Sequence, residues 1–184
     1  MSERRSATIL AADVAGYTAM MQSDEERAFE RVSALIDHIS RTISDLGGRV
    51  VSIAGDGLIS CFETAPAALR AARQFQDDLA EAGAAEPEDQ RLLCRVGIHS
   101  GEVVMRGEKV FGSVVNVAAR LQNIAQPGGI IVSGPVHEAV RGAVDCGFED
   151  LGALEVRGVA ERIRCFRVLS AEVAGERAFP PLPD

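Results

Sequence analysis

The chain has 184 residues, of which 47% are hydrophobic and 25% charged, and its formal net charge is −8. This composition fits one globular domain with its own core, and an acidic chain without tryptophan is a poor partner for nucleic acids. Four scattered cysteines and the lack of an 18-residue apolar run predict reduced thiols, no membrane span within this chain and a cytoplasmic location.

The N-terminal part predicts a strand followed by a long helix. Apolar residues 7–12 form a short buried strand that ends at Asp13, and residues 15–18 read as a turn. The S-x-x-E pattern that begins at Ser23 is typical of a capping box, and it precedes apolar residues spaced three or four apart. We therefore expect a helix that begins after Ser23 and ends at the glycines 47–48.

The stretch VSIAGDGLIS at 51–60 predicts two paired strands with Asp56 at the tip between them. Asp-Gly is a favoured two-residue hairpin connection, so a plain turn is the simplest explanation of this acid. Thr64, with Pro66 behind it, predicts the cap of a second helix. A polar loop then covers residues 83–90.

The middle of the chain predicts two strands and a third helix. Residues 92–99 and 102–106 read as separate strands joined by a turn at Ser100 and Gly101. Ser113 is then the expected cap of a helix that runs to about Ile124. Beyond it we expect elements in this order: a strand at 130–132, a brief helix from Pro135, strands at 148–156 and 162–169, and a proline-containing tail.

The alternation of strands and helices, with hairpins among them, predicts an α/β sandwich in which helices cover a mostly antiparallel sheet. We place the domain at residues 1–170 and a flexible tail or linker at 171–184. The common phosphate-binding loops G-x-G-x-x-G and G-x-x-x-x-G-K-[ST] are both missing from the sequence. Nucleotide chemistry in this chain therefore needs another device.

Asp13 and Asp56 are the two most suggestive acids. If the first strand lies beside the hairpin, both carboxylates project from one edge of the sheet. Two neighbouring carboxylates repel each other, and a divalent ion relieves that repulsion. Oxygen ligands alone favour Mg²⁺ or Mn²⁺ over zinc, and backbone N–H groups at Gly16, Tyr17 and Thr18 form a candidate phosphate cradle.

Asn116 and Arg120 are spaced four residues apart, which puts them on one side of the third predicted helix. Such a pair alone is usually a solvated surface. Together with three other segments, however, it completes a pattern. ATILAADVAGYT, GGRVVSIAGDGLISCF, RVGIHSGEVV and VFGSVVNVAARLQ, in this order, resemble the class III nucleotidyl cyclase catalytic domain over residues 6–169.

The resemblance implies a ferredoxin-like βαββαβ core and a head-to-tail homodimer whose sites lie across the subunit interface. It implies that Asp13 and Asp56, with the carbonyl of Val14, bind two Mg²⁺ or Mn²⁺ ions per site. Asn116 and Arg120 would come from the partner chain to orient the ribose and contact the phosphates. Further phosphate-binding candidates are Arg95 and, near the end of the domain, Arg157 or Arg162.

The implied reaction converts ATP to 3′,5′-cyclic AMP and pyrophosphate. Where adenylyl cyclases usually carry a lysine and an aspartate that read adenine, this chain has Ser52 and Lys109. The glutamate and cysteine of guanylyl cyclases are missing as well. A guanylate cyclase and a degenerate domain that binds nucleotide without turnover therefore stay open, whereas the lack of a GG[DE]EF motif disfavours a diguanylate cyclase.

Overall fold

A computed structural model describes residues 1–169 of the chain. Its eight strands form one sheet in the order β2-β3-β1-β4-β6-β8-β7, with β5 paired to β4. The strands are β1 (Ser2–Val14), β2 (Arg49–Ala54), β3 (Gly57–Phe62), β4 (Cys94–Arg106), β5 (Lys109–Phe111), β6 (Ile130–Ser133), β7 (Gly147–Leu154) and β8 (Ile163–Leu169).

Within residues 1–169, five α-helices and one short 3₁₀ turn connect these strands. The helices are α1 (Tyr17–Ser23), α2 (Glu25–Asp45), α3 (Ala65–Gly83), α4 (Ser113–Ile124) and α5 (Gly134–Val140), and the 3₁₀ turn covers Glu88–Gln90. All strand pairs are antiparallel except β4 with β6. The predicted α/β sandwich with a mostly antiparallel sheet is confirmed.

The first part of the sheet has the expected ferredoxin-like arrangement. The chain order β1, α2, β2, β3, α3, β4 gives the spatial order β2-β3-β1-β4, with the two helices on the same side. Helices α2, α3 and α5 supply the main core on that face. On the opposite face α4 packs over β1 and β4, and two smaller apolar clusters lie beneath it.

The predictions for the first strand and for residues 92–106 are wrong. The first strand is longer than residues 7–12, because β1 continues to pair with β4 as far as Ser2. The two strands predicted within residues 92–106 are a single strand, β4, which begins at Cys94. Its pairing with β1 is not interrupted at the predicted turn, because Ser100 pairs with Thr8 and Gly101 with Ala7. The missing side chain of Gly101 leaves room for α4, so this glycine serves packing and does not form a turn.

Several local predictions also need correction. The cap of α2 is Asp24, whose carboxylate accepts the N–H of Arg27 at 3.1 Å, and the preceding Ser23 is the last residue of α1.

Helix α4 is preceded by Gly112 and has no side-chain cap bond from Ser113, which is its first residue. The hairpin connection consists of residues 55 and 56, not of Asp-Gly.

The cap of α3 is as predicted, since the hydroxyl of Thr64 accepts the N–H of Ala67 at 3.4 Å. All four cysteines are free thiols. Within residues 1–169, none of the helices is both long enough and apolar enough to cross a bilayer. The predicted tail at 171–184 lies outside the described residues.

Candidate active site

Asp13 lies near the end of β1, between two neighbouring strands. It pairs with Gly57 of β3 on one side and with Arg95 of β4 on the other. The next residue, Val14, donates its backbone N–H to the backbone oxygen of Asp56 at 3.1 Å. The main chain thus brings Asp13 next to the turn that carries Asp56, the convergence that the sequence predicts.

The hairpin turn gives Asp56 a partly buried position. Gly55, which precedes it, has a φ of +60°, a conformation that glycine adopts without a steric penalty. Burial raises the pKa of the Asp56 carboxyl above its ordinary value, and the negative charge of Asp13 adds to the rise. The two carboxylates therefore repel each other, and a positive charge between them would stabilise both in the ionised form.

Arg95 holds the carboxylate of Asp13 with two hydrogen bonds. Its Nε lies 2.9 Å from Oδ1 and its Nη2 lies 2.5 Å from Oδ2, a bidentate arrangement. Its third nitrogen, Nη1, donates to the backbone oxygen of Asn123 near the end of α4 at 3.3 Å. In the structure Arg95 is thus a direct neighbour of the candidate metal ligands, and it also contacts α4.

The candidate phosphate cradle lies immediately after Asp13 and Val14. Gly16, with a φ of +77°, precedes α1, and Tyr17 and Thr18 are the first residues of the helix. First-turn N–H groups of a helix have no acceptor within it. Because these amides follow Asp13 and Val14 directly in the chain, they lie at the same end of β1 as the acidic pair, Asp13 and Asp56. This is where the sequence predicts them.

Asn116 and Arg120 lie on the exposed side of α4. The opposite side of the helix rests directly on β4, since a Cβ on Gly97 would come within 2.3 Å of the backbone of Ala118 and Gln122. Among residues 1–169, the hydrogen bonds of the Asp13 carboxylate come from Arg95 and none from this pair. Among the described residues of a single chain, no hydrogen bond or ion pair joins Asn116 or Arg120 to Asp13 or Asp56.

Lys109 lies far from the acidic pair. It is exposed and pairs with Arg106 at one end of β4, whereas Asp13 pairs with Arg95 at the other end. At about 3.3 Å per residue, the intervening strand is roughly 36 Å long. Ser52 is exposed on β2, beside an irregularity in its pairing with β3.

Arg157 and Arg162 lie in the connection between β7 and β8. Arg162 pairs with Glu155 at 3.4 Å, and the Arg157 side chain is exposed. Strand β8 is separated from β1 by β4 and β6. These arginines consequently do not join the cluster around Asp13 within one chain, and their phosphate-binding role stays a prediction.

Two features of the site were missed at the level of sequence. One is the ion pair of Arg95 with Asp13, which depends on the pairing register of two strands distant in sequence. The other is the close seating of α4 on Gly97, for which the glycine inside the apolar run RVGIH was an available signal. Both features connect the acidic pair to α4.

The sequence model of a protein family, the adenylate and guanylate cyclase catalytic domain, matches residues 1–170 of this chain. The chain belongs to this family. Its fold resembles the crystal structure of an adenylate/guanylate cyclase/hydrolase from Silicibacter pomeroyi with a TM-score of 0.87 and 37% identity, over 92% of this chain and 99% of that one. It also resembles the adenylyl cyclase CyaB of P. aeruginosa, with a TM-score of 0.82, 18% identity, and coverage of 93% and 97%.

Among curated proteins, the adenylate cyclase of Streptomyces coelicolor is 31% identical over 125 residues, which is 66% of this chain and 30% of that protein. A Rhizobium meliloti relative is 36% identical over 157 residues, 85% of this chain and 27% of the relative. The chain spans 21% to 59% of the length of the curated relatives it matches. The similarity therefore concerns the catalytic domain.

Proposed function

We propose that this domain converts ATP to 3′,5′-cyclic AMP and pyrophosphate at sites composed from two copies of the chain. The observation that carries the proposal is the position of Asp13 and Lys109 at opposite ends of β4. One chain cannot bring its own Lys109 to its own Asp13 across roughly 36 Å of strand. A head-to-tail pair of chains supplies each acidic cluster with the other chain's α4 and β5.

The acidic cluster fits a pair of Mg²⁺ or Mn²⁺ ions. Its donors would be the carboxylates of Asp13 and Asp56 and the backbone oxygen of Val14, all of them oxygen atoms. A guanidinium already lies bidentate on Asp13, so this position accepts a cation. In residues 1–169 no three His, Cys, Asp or Glu side chains gather into a metal site, and Mg²⁺ completed by substrate phosphates and water needs only one or two carboxylates.

The protein groups bind and orient the nucleotide. The amides of Gly16, Tyr17 and Thr18, together with Arg95, would hold the triphosphate. From the second copy, Asn116 would orient the ribose, so that its 3′-oxygen attacks the α-phosphorus as the bond to pyrophosphate breaks. Arg120 of that copy would stabilise the growing phosphoryl charge, an effect whose loss costs about 3 kcal/mol. Divalent ions held by Asp13 and Asp56 would lower the pKa of the attacking hydroxyl, whose proton would leave to water, and would neutralise charge on the triphosphate.

The surface of the sheet supports pairing of two chains. On the face that carries α4, this helix covers β1 and β4, while the contacts of β2 and β3 are with α2 and α3 on the other face. Half-buried Val51 and Ile59 of the uncovered strands lie beside the small apolar cluster beneath α4. A second copy on this face would remove that apolar surface from water.

ATP is the proposed substrate because relatives such as the Streptomyces coelicolor protein carry the name adenylate cyclase. The residues at the base-reading positions leave the choice open to test. Ser52 can donate or accept one hydrogen bond, and Lys109 can only donate, so neither reproduces a lysine and aspartate pair. This departure favours a second candidate function, a nucleotide-binding module that dimerises without turnover.

The deciding experiment is incubation of the purified protein with Mn²⁺ and either ATP or GTP, followed by separation of cyclic nucleotide and pyrophosphate. We expect cyclic AMP from ATP, and no product when EDTA is present. Cyclic GMP alone would show that the domain is a guanylate cyclase. The lack of product from both nucleotides would refute the catalytic proposal, and Mn²⁺-dependent nucleotide binding would then support the binding module.

A further inference from the structure

The pair formed by Asp13 and Arg95 occupies the place where a cation is expected. Both oxygens of the carboxylate accept a guanidinium N–H, and the two side chains are only 17% and 29% exposed. A carboxylate has further lone pairs, yet an ion bound to them would lie close to the guanidinium. Like charges at that distance repel strongly in a partly buried setting. A divalent ion and Arg95 therefore compete for Asp13.

Arg95 has a second anchor that does not depend on Asp13. Its Nη1 donates to the backbone oxygen of Asn123 at 3.3 Å, and α4 is fixed on β4 through its backbone contact with Gly97. When Arg95 leaves the carboxylate, this bond keeps the guanidinium at the same end of the sheet. That end also holds the first-turn amides of α1, where the triphosphate is proposed to bind.

We infer that Arg95 changes partner during binding, from the carboxylate of Asp13 in the ligand-free protein to the triphosphate once a divalent ion has taken Asp13. The inference rests on the proposed function and adds a rule for how the site fills. An ion that binds alone leaves the guanidinium without an anion. A nucleotide that binds alone leaves Asp13 without a cation.

The exchange couples the two ligands thermodynamically. Each ligand restores the partner that the other removes, so metal and triphosphate bind together more tightly than their separate affinities imply, and the coupling is reciprocal. The site thereby disfavours half-filled states. Arg95 is a positioning residue in this scheme before it becomes a ligand of the nucleotide.

The first test measures Mn²⁺ binding by electron paramagnetic resonance with the full chain, and mant-ATP binding by fluorescence in saturating Mn²⁺. We expect R95Q to bind Mn²⁺ alone about tenfold more tightly than wild type, because this variant lacks the guanidinium that competes with the ion for the carboxylate of Asp13. R95K keeps the charge but loses the bidentate fork, so it should lie between the two. With Mn²⁺ present, R95Q should bind mant-ATP more weakly than wild type. Opposite changes in the two affinities separate partner exchange from structural damage, which would weaken both.

The second test measures mant-ATP binding in EDTA and uses two matched variants that each remove one carboxylate. D13N frees Arg95 and should bind metal-free mant-ATP about tenfold more tightly than D56N, which leaves the ion pair intact. Equal affinities of D13N and D56N, or unchanged Mn²⁺ binding in R95Q, would overturn the exchange while the proposed function stands. If the wild type bound neither Mn²⁺ nor mant-ATP with Mn²⁺, the proposed function itself would fail.

Discussion

Val14 donates its backbone N–H to the backbone oxygen of Asp56 over 3.1 Å, which joins the end of β1 to the turn between β2 and β3. Because this bond and the pairing of Asp13 with Gly57 involve only the main chain, the proximity of the two acids does not depend on their own side chains. The carboxylates can therefore be changed without moving the strands that present them.

Asp56→Asn tests whether this carboxylate serves function at the expense of stability. Burial raises the pKa of Asp56, so its ionised form is disfavoured in the folded protein, and a neutral amide should leave the free energy of unfolding at pH 7 equal or higher. If Asp56 holds the catalytic ion, the cyclase rate should fall by about 100-fold or more. Urea denaturation and cyclic nucleotide assays measure the two quantities.

Asp13→Asn is the matched control for stability, since it removes a partner of Arg95. We expect it to lower the free energy of unfolding by up to about 1 kcal/mol, in addition to the loss of activity. A loss of stability in Asp56→Asn as large as that in Asp13→Asn would contradict the assignment of Asp56 as an electrostatically unfavourable, functional acid.

The composite site makes a specific prediction about mixtures of inactive chains. Asp56→Ala lacks the metal half of the site, and Asn116→Ala lacks the half that the partner supplies. If the chains exchange, half of the dimers in an equal mixture contain both variants, with one complete site each. The mixture should then recover about a quarter of the wild-type rate.

A mixture of Asp13→Ala with Asp56→Ala is the control for this experiment. Both changes damage the metal half, so no combination of these chains yields a complete site. Recovery of activity in this control mixture would show that the active site does not combine residues from two chains in the proposed way. The lack of activity in the mixture of Asp56→Ala with Asn116→Ala would show the same.

Much of the fold could be predicted from the sequence, because helix periodicity and hairpin signals are local. The strand after the first helix, the hairpin at Asp56 and the helix that carries Asn116 and Arg120 all follow from such signals. The continuity of β4 could not be predicted in this way. Its Ser100 and Gly101 look like a turn, and only the pairing with β1 and the contact with α4 reveal a strand.

In the candidate site, too, some features could be predicted from local sequence signals and others depend on tertiary pairing. The convergence of Asp13 and Asp56 follows from placing one strand beside a hairpin, which sequence reasoning can propose. The bond from Arg95 to Asp13 depends on the register between β1 and β4, and a shift of one residue would turn Arg95 to the other face. Register is a tertiary property, so the ion pair of Arg95 could not be predicted from the sequence, and its phosphate-binding role stays a prediction that rests on the family resemblance.

Base selectivity should depend on Ser52 and Lys109. Lys109→Asp supplies an acceptor and Ser52→Lys supplies a donor, the pair that adenylyl cyclases usually present to adenine. We expect the double variant to raise the ratio of kcat/KM for ATP over GTP by about tenfold or more. Lys109→Met, which removes the charge without adding an acceptor, is the control and should not improve this ratio. An unchanged ratio in the double variant would place base recognition elsewhere.

Helix α4 should be sensitive to small additions on β4. A Cβ on Gly97 would lie 2.3 Å from backbone atoms of Ala118 and Gln122, whereas one on Gly101 would meet the side chain of Val114 at 2.7 Å. Backbone cannot move aside as a side chain can, so Gly97→Ala should lower the free energy of unfolding by about 2–3 kcal/mol and Gly101→Ala by less. Chemical denaturation of both variants checks this order, and the reverse order would contradict the seating of α4.

His99 should make the stability of the domain depend on pH. This buried side chain bonds through Nδ1 to the hydroxyl of Ser133 at 2.7 Å, and burial lowers its pKa from the ordinary 6.5 to about 4. Between these two values the unfolded chain binds more protons than the folded one, so stability is lost as the pH falls through that window. From pH 7 to pH 5 the loss from this residue is about 2 kcal/mol. His99→Asn keeps a polar partner for Ser133 but cannot titrate, so its urea midpoint should fall less over this interval than that of the wild type. Parallel declines of the two midpoints would show that His99 is not the group responsible.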